Sequence, residues 1–489
     1  MKEIIALINP PYRGEKNVNH PNYPLGLGYL KANCKQSEKI QIYDFSQSSL
    51  SDEELIDKYN LDEYKIIGIT SFSIDFENTA FLIKKLKRDD NVIIVGGHHA
   101  TQTGKKLLDD FEYIDYCMKG YGDISFPQLI DALLNDTKSF SNISGLVYRC
   151  NGSIIENVVN YSDLVMDSLI FPDRNNIIYD FDTSICSDIE EDTLTISSSR
   201  GCPYNCSFCV NCKNNYWLSR SVKNVIAEID YCINNNEYKN ISFVDCNFFV
   251  DVNRAMEILR FIHYKYPNLT ISFQLRADQI CKLDSELKEL SAYNILVEVG
   301  IESASDDVLN RFHKMTTVEI NQKALDILNN NNINYAAYMI MFDALETIDD
   351  IRKNFNFIKR NHIFSYQNIG NLYQTMFPFY GSEYYEKYGN YYTGSVHKRT
   401  VPVFVNKDVE SLHNCIVMFR NEFEDRVNMC LKNSGDTELS NRLILFHYGI
   451  FEYLLIMAEK YGMCNYGILI KSKIYHELKK TISEMENVC

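Results

Sequence analysis

The chain has 489 residues, 45% of them hydrophobic and 23% charged, a globular composition able to bury a core and unlike that of a disordered chain. At roughly 100–200 residues per domain, that length predicts two to four domains. Against 65 Asp and Glu there are 49 Lys and Arg, a net charge of −16. That is the wrong sign for a duplex-binding or polybasic membrane-surface protein, so nucleic acid is not expected as a partner.

The start, MKEIIALINPP, carries an apolar run that stops at Asn9-Pro10-Pro11, too short for a signal peptide. Ile4–Ile8, Ile66–Thr70, Val92–Val95 and Tyr113–Cys117 are continuous apolar runs, the pattern of parallel strands covered on both faces. Ala80–Leu86 and Phe126–Leu134 carry apolar residues at helical spacing. This alternation predicts a doubly wound, Rossmann-like α/β domain over residues 1–150, with ligands at the carboxyl ends of the strands. Its loops there are Asn9–Gly14, Ser71–Asp75, Gly96-Gly97-His98-His99 and Gly120-Tyr121-Gly122-Asp123, whose small residues permit close approach to a ligand. Each loop taken alone reads equally well as a tight turn. Asn151-Gly152 between two apolar runs predicts a hairpin, and residues 151–190 read as a linker, acidic from Ser162 to Glu191.

From Thr193 a second alternating series begins. Strands are expected at Thr193–Ser197, Ile241–Val244, Thr270–Leu275, Leu296–Ile301, Tyr335–Met341 and Asn368–Tyr373. Helical stretches lie between them, at Val222–Asn234, Asn253–Tyr264, Asp284–Ala292, Val318–Leu328 and Asp349–Ile358. Six such units predict a partial (β/α)6 TIM-type barrel over residues 191–375. Residues 376–489 read as a helical substrate-side element, with amphipathic helices at Val409–Met429 and Arg442–Lys460. The most apolar part, Leu443 to Ala458, is broken by His447, Gly449 and Glu452 and falls short of a membrane span. A cytoplasmic enzyme is expected. Fifteen cysteines, an odd number, then point to metal binding or chemistry rather than disulfides.

Three of these cysteines, Cys202, Cys206 and Cys209, are spaced C-x3-C-x2-C just after the first strand of the second series. Short spacing on a loop lets three thiolates converge on one face of an iron–sulfur cube while the fourth iron stays free of protein. With Cys212 included, the same spacing reads equally well as a closed four-thiolate site, and so as a non-catalytic metal- or corrin-binding sensor. The flanking residues favour the open site. Arg200-Gly201-Cys202-Pro203-Tyr204-Asn205-Cys206-Ser207-Phe208-Cys209 resembles the cluster loop of radical S-adenosylmethionine enzymes. Arg220-Ser221, Val225, Glu228-Ile229, Phe243-Val244-Asp245, Arg276-Ala277-Asp278 and Val299-Gly300-Ile301-Glu302-Ser303 extend the match over about residues 193–345.

The resemblance implies a [4Fe-4S] cluster on Cys202, Cys206 and Cys209, whose free iron chelates S-adenosylmethionine before its cleavage to a 5′-deoxyadenosyl radical. It further implies that Phe208 flanks the adenine, that Glu302, followed by Ser303, contacts the ribose, and that Arg276 or Asp245 holds the methionyl end. Relatives often carry Gly-Pro-Gly-Glu-Thr after strand five; Met341–Thr347 keeps only Glu346-Thr347.

Asn9-Pro10-Pro11, Pro24–Leu30, Gly96–Thr101 and Gly120–Asp123 resemble the cobalamin-binding domain fused ahead of many such enzymes. That resemblance places Pro10, Ser71, Gly96, Gly97, His98, Gly120 and Gly122 at the corrin. A dinucleotide is disfavoured because no G-x-G-x-x-G follows the first strand. In Asp-x-His-x-x-Gly, the family's lower-ligand motif, this chain has Asp44 but Ser46 and Ser49, so cobalamin without a protein His on cobalt is expected. His98 and His99 remain candidates for contacts.

Together these motifs imply a cobalamin-dependent radical S-adenosylmethionine enzyme, foremost a methyltransferase acting on a weakly activated carbon of a natural product or peptide. Rearrangement, cyclisation or oxidation without methyl transfer is the alternative. A tRNA methylthiotransferase is disfavoured by the acidic chain. A flavodoxin or ferredoxin is the expected electron donor. Six tyrosines between Tyr380 and Tyr392, with His397 beyond, suit a dry yet polar substrate wall over residues 373–400, and removal of residues 405–489 is expected to spare cluster assembly.

Overall fold

Eight strands form the first sheet: β1 (Ile5–Asn9), β2 (Ile40–Asp44), β3 (Ile66–Thr70), β4 (Val92–Gly96), β5 (Tyr116–Met118), β6 (Leu146–Cys150), β7 (Ser153–Glu156) and β8 (Ile177–Tyr179). Their order is β7-β6-β5-β4-β3-β1-β2-β8. All pairs are parallel except β5–β6 and β6–β7. The chain leaves β1 toward β2 on one side and returns to β3 on the other, so the switch point lies between β1 and β3. A crevice at the carboxyl edge is the consequence. The expected Asn151-Gly152 turn joins β6 to β7, with both residues in left-handed backbone.

This computed structural model describes residues 4–13, 23–137, 139–180, 192–210, 216–364, 368–433 and 437–486. Cys212 and residues 181–191 of the expected linker lie outside them. The described part of that linker does not simply cross over: residues 177–179 pair in parallel with β2 as the sheet's last strand.

The second sheet is β15-β14-β13-β12-β9, all parallel, built from β9 (Thr193–Ile196), β12 (Asn240–Phe243), β13 (Thr270–Arg276), β14 (Ile295–Glu302) and β15 (Asn334–Met339). A separate antiparallel pair, β10 (Ser199–Gly201) with β11 (Trp217–Ser219), brackets the cysteine loop. Five of the six expected barrel strands form. The sixth, expected at residues 368–373, is instead a short turn of helix over Ile369–Leu372. Asparagine chemistry replaces it. Asn368 accepts from the Ala337 amide at 3.0 Å, and Asn371 accepts from the Met339 amide at 2.9 Å while donating to the Ala337 carbonyl at 2.6 Å. Side-chain amides thus satisfy the β15 edge that a strand would have covered.

The retained Glu346-Thr347 pair begins a helix rather than a ligand loop. Thr347 caps Ile348–Arg360, in a capping box with Asp350. Helices Lys407–Asn433, Thr437–Tyr461 and Lys473–Glu486 close the open side of the barrel. Val409, Leu412, Phe419 and Phe451 share one continuous core with the barrel strands, and Phe451 stacks on Phe355 at 5.2 Å. Truncation at residue 405 therefore removes part of the barrel's own core and is no clean test of a substrate wall. Among the described residues no helix is long and apolar enough to cross a membrane.

Candidate functional site

The cysteine loop leaves β10 through Gly201, whose φ is +80° and where a Cβ would lie 2.3 Å from the Tyr216 carbonyl; only glycine fits. Cys202 and Cys206 are buried and Cys209 is half-buried. The loop is clamped from behind: Ser207 donates its amide to the Phe312 carbonyl at 3.0 Å and accepts the Tyr384 amide at 2.9 Å. Phe208 packs edge-on to Phe312, with ring centroids 5.5 Å apart. No three His, Cys, Asp or Glu side chains among the described residues are grouped as ligands of a single ion. A cube asks for something else, since its three thiolates bind different irons and stand farther apart. The donor set, three thiols from one loop, fits that group.

Beneath the loop, Arg220 and Arg174 share the fully buried Glu228, the Arg174 contact being 2.8 Å. Asp245 is also fully buried, and it serves the chain itself. It accepts from the Ser198 amide at 2.7 Å and the Ser199 hydroxyl at 2.6 Å, anchoring the strand that leads into the cysteines. With the Ser198 hydroxyl also on it, three of the carboxylate's roughly four acceptor sites are taken by the chain itself. Ser303 is likewise committed, with its hydroxyl on Asn354 at 2.9 Å and no exposed surface. Beside Asp245, the Asn247 side chain is 1% exposed and neither of its polar atoms has a partner. A buried, unpaired amide just beyond a barrel strand is a group awaiting a ligand.

Glu302 ends β14 with φ +62°, at a bulge. Its carboxylate receives Lys314 Nζ at 2.8 Å, and Gly300 leaves room for the pair: a Cβ there would lie 2.7 Å from Glu302. Lys314 is itself flanked by His313 and Met315, both in left-handed backbone. Three strained non-glycine residues about one ion pair mark a functional locus. The sequence reading named Glu302 and missed Lys314. Farther inside the barrel, Gln274 donates to Glu298 at 3.3 Å, and burial raises the Glu298 carboxyl above its usual range. Tyr338, still 44% exposed, lies one register step along.

At the first sheet's carboxyl edge stand Pro10, the Ser71 loop, Gly96-Gly97 and Gly120–Gly122. Gly97 has φ +91°, and a Cβ would strike Ser71 at 2.7 Å, whereas Gly96 faces open space. Ser71 turns its hydroxyl to the Gly96 carbonyl at 2.6 Å, tying the β3 and β4 loops together. His98 is exposed, 6.0 Å from the ring of Phe72. The small residues and open side at Gly96 fit a corrin.

His99 does not face that opening. It is fully buried, stacked on Phe76 at 3.9 Å, and joined to Ser73 at 3.0 Å through Nδ1 and to His397 at 2.9 Å through Nε2. His397 in turn meets Asp110 at 2.8 Å. An ionised Asp110 only accepts, so His397 Nε2 donates to it, His99 Nε2 donates to His397 Nδ1, and the Ser73 hydroxyl donates to His99. Every bond is satisfied with both imidazoles neutral. Burial lowers both pKa values, His99 to about 3, the neighbouring His397 adding to that effect. The unfolded chain takes up protons below about pH 6.5 while the folded relay does not. Stability is therefore complete above that pH and falls as pH drops, by up to about 1.4 kcal/mol per pH unit for His99, with His397 acting in the same direction. Thermal unfolding of the wild type is expected to lose ground from about pH 7 to about pH 5 faster than His99→Phe. Parallel profiles would refute the relay.

His397 belongs to the segment expected as the substrate wall, and Lys398 reaches Glu77 at 2.8 Å. The tyrosines divide in two. Tyr384 and Tyr392 are buried and both hydroxyls end on Asp343, which Arg311 also holds at 2.7 Å. Tyr380 and Tyr385 instead line a cavity of about 570 Å³. Next to it, a cavity of about 210 Å³ is bounded by Cys206, Cys209, Glu383 and Gln102, the last from the helix Gly97–Thr103 of the first domain. Arg200, two residues before Cys202, forks onto Asp123, two residues after Tyr121. Cysteine loop, glycine loops and tyrosine segment thus meet at one place.

Comparison with known proteins matches residues 196–358 to the radical SAM superfamily and residues 16–130 to the B12 binding domain. The chain is 25% identical to an uncharacterized methyltransferase, PH0819, of Pyrococcus horikoshii, over 73% of this chain and 78% of that one. It is 24% identical to an anaerobic magnesium-protoporphyrin IX monomethyl ester cyclase of Rubrivivax gelatinosus, over 69% and 64%. Among solved structures, the cobalamin-dependent S-adenosylmethionine radical enzyme OxsB with aqua-cobalamin bound shares the fold at a TM-score of 0.72 and 17% identity, over 99% of this chain and 84% of that one.

Proposed function

This chain is a cobalamin-dependent radical S-adenosylmethionine enzyme, and we propose that it transfers a methyl group to a weakly activated carbon of a small-molecule or peptide substrate. One observation carries the reading: Gln102 of the corrin-side helix and the thiols Cys206 and Cys209 border a single cavity, so groups held on either side would face one another across it. Cys202, Cys206 and Cys209 would hold the cluster, which would supply the electron for cleavage of S-adenosylmethionine, and cobalamin on the first domain would supply the methyl group.

The chain's own residues position and exclude. Phe208 offers an apolar face beside the cysteine loop, and the Glu302–Lys314 pair offers an acceptor and a cation to the nucleoside end. The unpaired Asn247 amide offers a donor and an acceptor to a polar substituent of S-adenosylmethionine. Gln274, Glu298 and Tyr338 orient the substrate from within the barrel, and Tyr380 and Tyr385 wall it from outside. Incubation of the anaerobic enzyme with S-adenosylmethionine and substrate should release both 5′-deoxyadenosine and S-adenosylhomocysteine. Release of 5′-deoxyadenosine alone would favour the ring-forming or oxidative chemistry of the cyclase relative.

Cobalamin would be held here without a protein histidine on cobalt. Ser46 stands at the lower-ligand position, and both nitrogens of His99 are engaged in the relay. His98→Ala should bind cob(II)alamin with an unchanged axial spectrum. Loss of an axial nitrogen coupling in that variant would overturn this assignment.

A further inference from the structure

We propose that Arg276 sets the reduction potential of the cluster by donating a hydrogen bond to the Cys206 sulfur and placing a buried positive charge against it. The inference rests on the reading of Cys206 as a cluster ligand. Arg276 Nη1 lies 3.4 Å from Cys206 Sγ, and the residue is only 7% exposed.

The rest of the guanidinium is held by further contacts. Nε donates to Asp278 at 2.8 Å, Nη2 donates to the Lys314 carbonyl at 2.6 Å, and the plane stacks on Tyr204 with Cζ 3.9 Å from the ring centroid. These contacts, with the Cys206 bond, commit three of the five N–H groups and fix the orientation, turning Nη1 to the sulfur rather than leaving the whole fork to the methionyl carboxylate expected from the sequence. An arginine guanidinium stays cationic even when buried, and Asp278 lies beside it as a counter-charge.

Reduction adds one negative charge to a cluster. An N–H donor on a ligand sulfur and a nearby cation both stabilise the reduced form more than the oxidised one, and so raise the potential. In a site shielded from water that attraction is screened little. The same guanidinium reaches the Lys314 backbone, so the loop that aims Nζ at Glu302 is tied to the cluster's cysteine. Arg276 is on this reading a positioning and tuning residue.

Full-length protein reconstituted anaerobically, without S-adenosylmethionine, is titrated electrochemically and followed by the electron paramagnetic signal of the reduced cluster. Arg276→Met should keep its iron but shift the reduction equilibrium at least tenfold toward the oxidised form, a potential lower by about 59 mV for one electron. Arg276→Lys, which keeps the charge and loses the planar fork, should fall between. A full cluster with wild-type potential in Arg276→Met overturns the proposal, the more so if affinity for S-adenosylmethionine drops instead. Should Arg276→Met not assemble a cluster, wild-type protein carrying guanidino-15N arginine decides: a 15N coupling to the reduced cluster that Arg276→Lys abolishes supports it, and absence of coupling overturns it. A wild type that holds no four-iron cluster fails the underlying assignment, a result read from iron content alone.

Discussion

Alanine in place of any one of Cys202, Cys206 or Cys209 will leave the reconstituted chain without its four-iron cluster, iron falling from about four per chain to near zero. The expected effect is total because each of the three thiolates binds a different iron of the cube. Among the described residues no other cluster of metal-binding side chains is present. The loop that carries the three thiols is pinned by Gly201, by Ser207 on Phe312 and by the amide of Tyr384, which holds Cys202 and Cys206 in place. Nor is the loss a matter of folding. Each cysteine contributes little buried area compared with the core beneath, and that core is fastened by Asp245 and by Arg220 with Glu228. Circular dichroism and melting temperature should therefore stay near wild type while the cluster absorption and the cleavage of S-adenosylmethionine vanish. Cys212→Ala is the necessary companion. An open cluster survives it, whereas a closed four-thiolate site loses metal. Retention of iron in all three single variants would sink the assignment.

Much of this architecture was legible from local pattern. Runs such as IIGIT and VIIV are apolar throughout because both faces of a parallel strand are covered, and each became a strand at its expected place. What failed was pattern broken by polar residues. β2, IQIYD, alternates too weakly to be noticed, yet all five of its residues are buried, Gln41 bonding the Asn176 carbonyl and Tyr43 the hydroxyl of Tyr64. The strand expected at 368–373 has strand-like length, but its asparagines compete for backbone groups and win the β15 edge with side chains.

The site shows the same division. Motif residues pointed to the cysteine loop, Glu302 and the glycine loops. Their neighbours did not follow from sequence, because contacts such as Arg276 on Cys206 or His99 on His397 join positions 70 and 298 residues apart. Asp245 and Ser303 illustrate the converse. Both match the family pattern, and both spend their polar atoms inside the protein. A motif marks a place; it does not say which way the side chain faces.

Asp123→Ala is the second variant with a large expected effect, and it tests whether the two cofactor domains work as one unit. Asp123 is 5% exposed and Arg200 is 11% exposed at their side chains, and they are joined by a two-pronged contact, one prong 3.0 Å long. Tyr29 and Tyr121 lie on the guanidinium at 4.9 and 4.8 Å, so no water is at hand to solvate it if the carboxylate is removed. Breaking a buried pair from one side costs about 3–5 kcal/mol, most of it the stranded charge. Asp123→Ala should lose that stability, and Asp123→Ala with Arg200→Met should recover most of it, since the double variant strands nothing. Function should separate from stability at this point. Arg200 is the middle residue of the strand that leads to Cys202, and Asp123 lies in the first turn of the helix Gly122–Leu134 behind the Gly120–Gly122 loop, so the pair is placed to register the cysteines against the first domain's glycine loops. The double variant should hold cluster and cobalamin yet release more 5′-deoxyadenosine per methylated product than the wild type. If it instead keeps the wild-type ratio, the pair is a structural fastening alone, and the register between the domains is set elsewhere, with the His99–His397–Asp110 relay next in line.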